Sequence, residues 1–359
     1  MLLEIENLRT RYQLNDAEDA SYVDAVADVS FGIESGEVFG LVGESGCGKS
    51  TIAQSVMQTL PRNGSIVDGE IRFDGVDLVQ ASARDLQDVR WEKIAFVSQS
   101  AMNAFDPVYT VGAQIREAIR VHRDMSRDQM DDRIAELFGM VGIDPERAEE
   151  YPHQYSGGMK QRAMIAMALV LDPDLIIADE PTTALDVISQ DTILHYLERL
   201  QRETDAAMLL ITHDMSVVAE ICDRIGVMYA GKFAEIGSTE DVFAEPLHPY
   251  TLGLKNAFPT VRDQAELVSI SGSPPDLVGI GEQCRFAPRC PFAEEECWEG
   301  DPPLETYGPG HAAACLRIDE IGPETLRARA ADPELWSTDG DPGEVEHAGA
   351  VDSPAGEGE

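Results

Sequence analysis

Positive charge is what this sequence most lacks. Lysine occurs only at Lys49, Lys93, Lys160, Lys232 and Lys255, and Lys plus Arg total 27 against 66 acidic residues, a formal net charge of −39. That balance excludes a general nucleic-acid binder, because neutralising phosphates needs clustered Lys and Arg. Long apolar runs are missing as well. The longest, residues 163–171, falls far short of the ~20 residues a bilayer crossing requires. Residues 1–8 read as a short amphipathic strand, not as a basic segment followed by an apolar one, so no secretory leader is expected. The expectation is a chain on the cytoplasmic side, free or attached to a membrane through partners. Internal repeats are absent, and there is one glycine-rich turn and no second copy of it.

What is present suits one large domain with an appendage: 359 residues, 43% of them hydrophobic. The acids are spread along the whole chain, including its first 250 residues, and Arg far outnumbers Lys. This pattern looks like that of proteins from salt-accumulating cells, where high ionic strength screens the self-repulsion of so many carboxylates.

Residues 3–8, 37–42, 71–73 and 94–97 carry strand patterns, rich in Val, Ile and Leu. Residues 43–50 form a glycine-rich turn, and 51–60 follow as a helix. From 111 to about 171 apolar residues recur at spacings of three and four, the mark of a helical insertion. Residues 175–178 and 208–211 are continuous apolar runs of strand length, as in a sheet buried on both faces. Helical patterns separate them, which predicts a mostly parallel sheet with crossover helices.

Gly43-Glu44-Ser45-Gly46-Cys47-Gly48-Lys49-Ser50, followed by Thr51, fits G-x-x-x-x-G-K-[ST] in full and lies between a strand and a helix. Glycines let backbone N–H groups curl around phosphate oxygens, and the helix N-terminus adds partial positive charge. Lys49 is expected on the β- and γ-phosphates and the Ser50 hydroxyl on Mg²⁺. Asp179 and Glu180 end the apolar run 175–178, at the carboxyl end of a buried strand, where α/β proteins bind ligands. Two acids after a strand more often begin a helix, but their distance downstream of the glycine-rich turn favours a site. Asp179 is expected to hold Mg²⁺ through water, and Glu180 to polarise the attacking water as general base. Ser156-Gly157-Gly158-Met159-Lys160-Gln161 opens a second helix whose free N–H groups could face an anion.

The order of these elements resembles that of ABC ATPases over roughly residues 1–255. Ser156, Gly157 and Gly158 look like that family's signature. Gln99 after the strand 94–97 looks like its Q-loop glutamine, a Mg²⁺ and water contact. Asp186 in Pro181-Thr182-Thr183-Ala184-Leu185-Asp186 looks like its D-loop, and His213 in Thr212-His213-Asp214 like its switch histidine. Tyr12 sits where the family places an aromatic on adenine. The stretches YSGGMKQRAMIAMAL and ADEPTTALDV, and His248-Pro249-Tyr250-Thr251, are similar to the ATPases of dipeptide and oligopeptide importers; Met159 replaces the usual glutamine, as is common in that branch.

The resemblance implies a P-loop α/β fold: an ABC ATPase domain over residues 1–245 with a mixed sheet and a helical subdomain at about 100–171. A small cysteine-containing extension would follow at 246–316, then an acidic tail at 317–359, its last part disordered. It also implies ATP and Mg²⁺, and a second ATPase subunit, identical or a paralogue, clamping two ATP molecules head to tail. Two separate membrane permeases and an extracytoplasmic solute-binding protein would complete the importer, with this chain at the cytoplasmic face of the membrane. Peptide is the favoured cargo. Oligosaccharides, nickel and a soluble non-transport ABC ATPase stay open, while the intact Glu180 and His213 argue against a non-hydrolysing regulatory module.

Cys284, Cys290, Cys297 and Cys315 are separated by five, six and seventeen residues in a Pro-rich, aperiodic segment. Such a segment builds little core and needs a staple. Disulfides are disfavoured in a reducing compartment, and structural zinc sites usually show C-x₂₋₄-C pairs that this spacing lacks. A [4Fe–4S] cluster takes four thiolates, and the resemblance to peptide-importer ATPases, some of which carry such a cluster on a similar cysteine pattern, favours it, while zinc and free or disulfide-bonded cysteines stay open.

Overall fold

A computed structural model of the chain describes residues 1–14, 21–98, 104–182, 187–257 and 270–322, together with residues 326 and 336. The amino-terminal part runs β1 (Leu3–Gln13), β2 (Tyr22–Ile33), β3 (Val38–Val42), α1 (Lys49–Val56), β4 (Gly64–Phe73), β5 (Val76–Asp77), α2 (Ala83–Val89) and β6 (Ile94–Val97). Three helices follow, α3 (Val111–His122), α4 (Arg127–Met140) and α5 (Gly157–Ala168). The chain then returns through β7 (Leu175–Asp179), α6 (Val187–Thr204), β8 (Ala207–Thr212), α7 (Met215–Ile221), β9 (Arg224–Tyr229) and β10 (Lys232–Ser238). It ends in α8 (Thr239–Ala244), α9 (Pro249–Asn256), α10 (Glu296–Glu299), β11 (Glu305–Gly308) and β12 (His311–Ala313).

Two sheets result. An antiparallel sheet has the order β2-β1-β4-β5, and a mixed sheet the order β11-β12-β10-β9-β3-β8-β7-β6. In the mixed sheet β6, β7, β8, β3 and β9 pair in parallel, and β10, β11 and β12 extend it antiparallel. Every residue of β3, β7 and β8 is buried. The reason is visible in the alternation of side chains. Leu175, Ile177, Leu209 and Ile211 face one apolar core with Phe39 and Leu41, beneath the antiparallel sheet. Ile176, Ala178, Met208 and Leu210 face the other, with the apolar stripes of α3 to α5. A strand covered on both sides shows no polar alternation, which explains the continuous apolar runs. Phe31 of β2 stacks on Phe39 of β3 at 4.8 Å and joins the two sheets.

The helical insertion forms as its spacing predicts. Ser126 and Gln129 cap α4 reciprocally: each side chain accepts the other's backbone N–H, at 3.3 and 2.9 Å. Val111, Ile115 and Ile119 of α3 and Met130, Ile134, Leu137 and Phe138 of α4 are buried together. Arg116 lies beneath this packing with its side chain 8% exposed and pairs with Asp131 and Glu149. Both carboxylates are themselves exposed, so solvent screens the pairs and their contribution falls toward the ~1 kcal/mol of surface ion pairs.

Three features differ from the sequence reading. α1 begins at Lys49 and ends at Val56, because Gln58 adopts a left-handed φ of 50° that terminates the helix. β2 was not legible as a strand: Asp28, at φ 61°, interrupts its period of two, and its pairing with β1 shifts register. Residues 305–308 and 311–313, within the extension expected at 246–316 and read without regular periodicity, are strands of the main sheet. They cover the edge of β10. Buried Glu235 of β10 fixes this junction by accepting the backbone N–H of Leu247 and His248 at 3.0 and 2.9 Å and pairing with His311 at 2.8 Å. Among the described residues no helix is long and apolar enough to cross a membrane. The last part of the acidic tail lies outside them.

Candidate active site

The turn between β3 and α1 lies at the carboxyl ends of adjacent parallel strands. Val42 of β3 aligns with Thr212 of β8, and Ile211 of β8 with Asp179 of β7. The glycine-rich turn, Asp179-Glu180 and His213 therefore open on one crevice at the rim of the sheet, where this architecture binds ligands. The loop is closely built. A Cβ on Gly43 would lie 2.2 Å from the Met228 carbonyl oxygen, and one on Gly48, at φ 107°, would lie 2.2 Å from that of Ala25. A Cβ on Gly46 would meet nothing within 4 Å, so that side of the loop is open to a ligand.

Lys49 opens α1 with its side chain folded back along the loop. Its Nζ donates to the carbonyls of Gly43 and Glu44 at 2.7 and 2.9 Å and lies 3.7 Å from Cys47 Sγ. The next residue, Ser50, donates its hydroxyl to Asp179 Oδ1 at 2.9 Å. Burial pushes the Asp179 carboxyl up, partly offset by that hydrogen bond. A hydroxyl and a carboxylate side by side are hard oxygen donors of the kind Mg²⁺ takes, so the donor set fits the ion. Glu180 follows in a left-handed conformation, φ 46°, with its N–H donated to Ile211 O at 2.8 Å. Its carboxylate is 15% exposed and stands 3.6 Å from Nδ1 of His213, which is 61% exposed. A half-buried carboxylate, an exposed imidazole, a lysine ammonium and a glycine-rich turn lie at the same strand ends, which is chemistry suited to a polyphosphate and a water molecule.

Tyr12, next to last in β1, lies beside α1, its hydroxyl 3.4 Å from Thr51 Oγ1 and 3.3 Å from Gln54 Oε1. Ser156 caps α5 by accepting the Met159 N–H at 3.3 Å, and it is exposed on the insertion with Gly157 and Gly158 beside it. Its described hydrogen bonds stay within that helix's first turn, away from the loop. Gln99 and Asp186 lie outside the described residues. Glu44, expected among the cradle residues, turns elsewhere. Its N–H is donated to the Tyr250 hydroxyl at 3.0 Å and its carboxylate accepts both terminal nitrogens of Arg289 at 2.7 and 2.9 Å. The sequence reading missed Tyr250 and Arg289 as parts of the site. They lie 206 and 245 residues from Glu44, and no local spacing marks them.

All six cysteines are free. Cys284, Cys290, Cys297 and Cys315 line one cavity with Phe286, Phe292 and Ile321. Burial pushes the thiols of Cys284, Cys290 and Cys315 up, the last to about 11, and neighbouring thiols add to the effect. Among the described residues no three His, Cys, Asp or Glu side chains are grouped to hold a metal ion.

Residues 26–183 match the ABC transporter family and residues 234–297 the oligopeptide/dipeptide transporter C-terminal region. The probable peptide ABC transporter ATP-binding protein y4tR of Sinorhizobium fredii is 45% identical over 326 residues, 89% of this chain and 96% of its own. The dipeptide transport ATP-binding protein DppD of Bacillus subtilis is 43% identical over 323 residues, 89% of this chain and 95% of its own. Among solved structures, the dimeric post-hydrolysis state of the ATP-binding cassette MJ0796 bound to ADP and Pi superposes with a TM-score of 0.59 at 27% identity, over 66% of this chain and 98% of that one. The likeness extends from the phosphate loop through the cysteine-bearing segment, and the chain belongs to the family of ABC transporter ATP-binding proteins that carry the oligopeptide/dipeptide transporter C-terminal region.

Proposed function

We propose that this chain binds and hydrolyses ATP to drive an importer of di- and oligopeptides from the cytoplasmic face of the membrane. The observation that carries the reading is the pairing of the sheet-end site with relatives named for peptide and dipeptide transport along nearly their whole length. Gly46, Gly48 and the α1 N-terminus would receive the phosphates, with Lys49 as their counter-charge. Ser50 and Asp179 would hold Mg²⁺, which neutralises charge developing on the phosphates, with Gln99 joining them. Glu180 would take the proton of the attacking water, and His213 would position that water against the γ-phosphate. Tyr12 would stack on adenine. Ser156, Gly157, Gly158 and Asp186 would complete the site of a second ATPase subunit, since the described contacts of Ser156 do not reach this chain's own loop. Two permeases and an extracytoplasmic solute-binding protein would supply the membrane path. Reconstituted with them in proteoliposomes, the chain should hydrolyse ATP faster when peptide is added outside. Stimulation by oligosaccharide or nickel instead would move the cargo, and the absence of any permease partner in membranes of the native cell would end the transport reading.

The four-thiol cavity supports a resident [4Fe–4S] cluster. Structural zinc sites usually show C-x₂₋₄-C pairs, which this spacing lacks, whereas a cubane takes one thiolate on each of four irons and accepts more irregular spacing. The Cys284, Cys290, Cys297 and Cys315 thiolates would hold it as a structural staple, since nothing in ATP-driven transport needs an electron. Anaerobically purified protein should be brown, absorb broadly near 400 nm and contain about four iron atoms per chain. Colourless, iron-free protein would end the idea, and stoichiometric zinc would replace it.

The net charge of −39 supports a salt-adapted protein. ATPase activity and melting temperature should fall as salt drops below roughly 1 M, where the Debye length exceeds ~3 Å and carboxylates repel over a longer range. Full activity and an unchanged melting temperature in dilute buffer would refute this.

A further inference from the structure

The phosphate loop contains an acid, and that acid is poorly placed for binding phosphates unless something removes its charge. Glu44 directly follows Gly43 in the loop, and an unpaired carboxylate in that neighbourhood would repel a triphosphate. Its partner comes from the cysteine-bearing segment. Arg289 lies between Cys284 and Cys290, in a single tight turn at Ala287–Arg289. Its side chain is 5% exposed. The two terminal nitrogens grip both Glu44 oxygens, Nη1 also lies 3.3 Å from the Tyr229 hydroxyl, and Nε donates to Ser271 O at 2.9 Å. This is the planar, two-pronged pairing that guanidinium makes and ammonium cannot.

Two further contacts brace the loop. Arg285 donates to Ala230 O, and the adjoining Gly231 N–H donates to Cys47 O at 2.9 Å. Tyr250 accepts the Glu44 N–H while its ring packs against Tyr229 and Phe286, at centroid distances of 4.6 and 5.3 Å. Phe286 also lines the four-thiol cavity. The loop is therefore held at Glu44 by Arg289 and Tyr250, and at Cys47 by Gly231, whose neighbour Ala230 accepts from Arg285 of the cysteine-bearing segment.

We infer that Arg289 is a positioning residue for the phosphate loop, cancelling the Glu44 charge and making nucleotide affinity depend on the cysteine-bearing segment being docked. Arg289 touches neither Glu180 nor His213 among its described contacts, so its loss acts on binding and leaves the hydrolytic step largely alone. Linkage is reciprocal: a nucleotide on the loop stabilises the docked segment, and a disordered segment weakens the nucleotide.

The inference rests on the glycine-rich loop being the ATP site, and its test separates the two. MgATP affinity and steady-state ATP turnover are measured on the full chain for Arg289→Ala, Arg289→Lys, Glu44→Gln and the Arg289→Ala/Glu44→Gln double variant, with Lys49→Ala alongside. Arg289→Ala is expected to raise Kd and KM for ATP about tenfold, the effect of one unpaired charge near phosphates at the effective dielectric of a protein surface, while kcat at saturation changes less than about threefold. Arg289→Lys falls between, keeping the charge and losing the fork. The double variant is expected to recover most of the lost affinity, because no carboxylate remains to be neutralised. A purely structural role would not allow that rescue. Wild-type affinity in Arg289→Ala, or a double variant as weak as the single, overturns the inference. Should Arg289→Ala fail to fold, Arg289→Lys with and without Glu44→Gln carries the same two outcomes. Unchanged binding in Lys49→Ala would instead remove the ATP site itself.

Discussion

Glu180→Gln should bind MgATP and turn it over at least ~100-fold more slowly, the scale of a lost general base. The proposed role suits how the residue is held. Its backbone sits at φ 46° just past β7, tied to Ile211 O, so the carboxylate is fixed at the rim of the crevice, 15% exposed and 3.6 Å from His213. Glutamine keeps the shape and removes the ability to accept a proton, and so the binding contacts made by Lys49, Ser50 and the loop should survive. With ATP bound and hydrolysis blocked, the head-to-tail clamp of two subunits should persist, and the variant should accumulate as an ATP-bound dimer in light scattering. The decisive measurement is steady-state phosphate release with MgATP affinity in parallel. Turnover near that of the wild type would remove Glu180 from the base's role, and loss of affinity would reassign it to binding.

Lys49→Ala should have the opposite profile, with nucleotide binding itself lost. Lys49 is 4% exposed and its ammonium lies among the carbonyls of Gly43 and Glu44, so it is placed to do two things at once. It tightens the loop, and it supplies the only lysine charge in the loop to a ligand bearing several negative charges. A point charge in that position on β- and γ-phosphates is worth several kcal/mol at partly buried depth, and Kd should rise by ~100-fold or more. Equilibrium binding of MgATP decides the matter. A variant that binds normally but fails to hydrolyse would mean that Lys49 acts only on the transition state and that the phosphates are held by the loop's N–H groups alone.

The contrast between these two residues and Arg289 shows what a sequence can carry. Lys49, Ser50 and the glycines are neighbours in the chain, and one local shape, a strand turning into a helix, makes them a site. Asp179 and Glu180 were legible because a strand buried on both faces writes itself as an unbroken apolar run, and its end is thereby marked. The helical insertion was legible for the matching reason, since its apolar residues recur at the period of the helix. β2 was not, because the left-handed turn at Asp28 breaks its alternation. The extent of the main sheet was not legible either: residues 305–313 carry no strong pattern of their own and become strands because β10 offers an open edge.

Composition and residue order alone determined that the chain is acidic throughout, has no apolar run long enough to cross a bilayer and is poor in lysine, and local motif alone marked residues 43–51 as a glycine-rich turn between a strand and a helix. Only the tertiary structure decided that Glu44 turns from the crevice to meet Arg289, that Tyr250 takes its N–H, and that four irregularly spaced thiols line one cavity. These contacts join residues more than two hundred positions apart or with no common period. Nothing in the short-range geometry of a chain specifies which distant turn will pack against which loop; that is set when the cores on the two faces of the sheet close and bring its far edge beside the phosphate site.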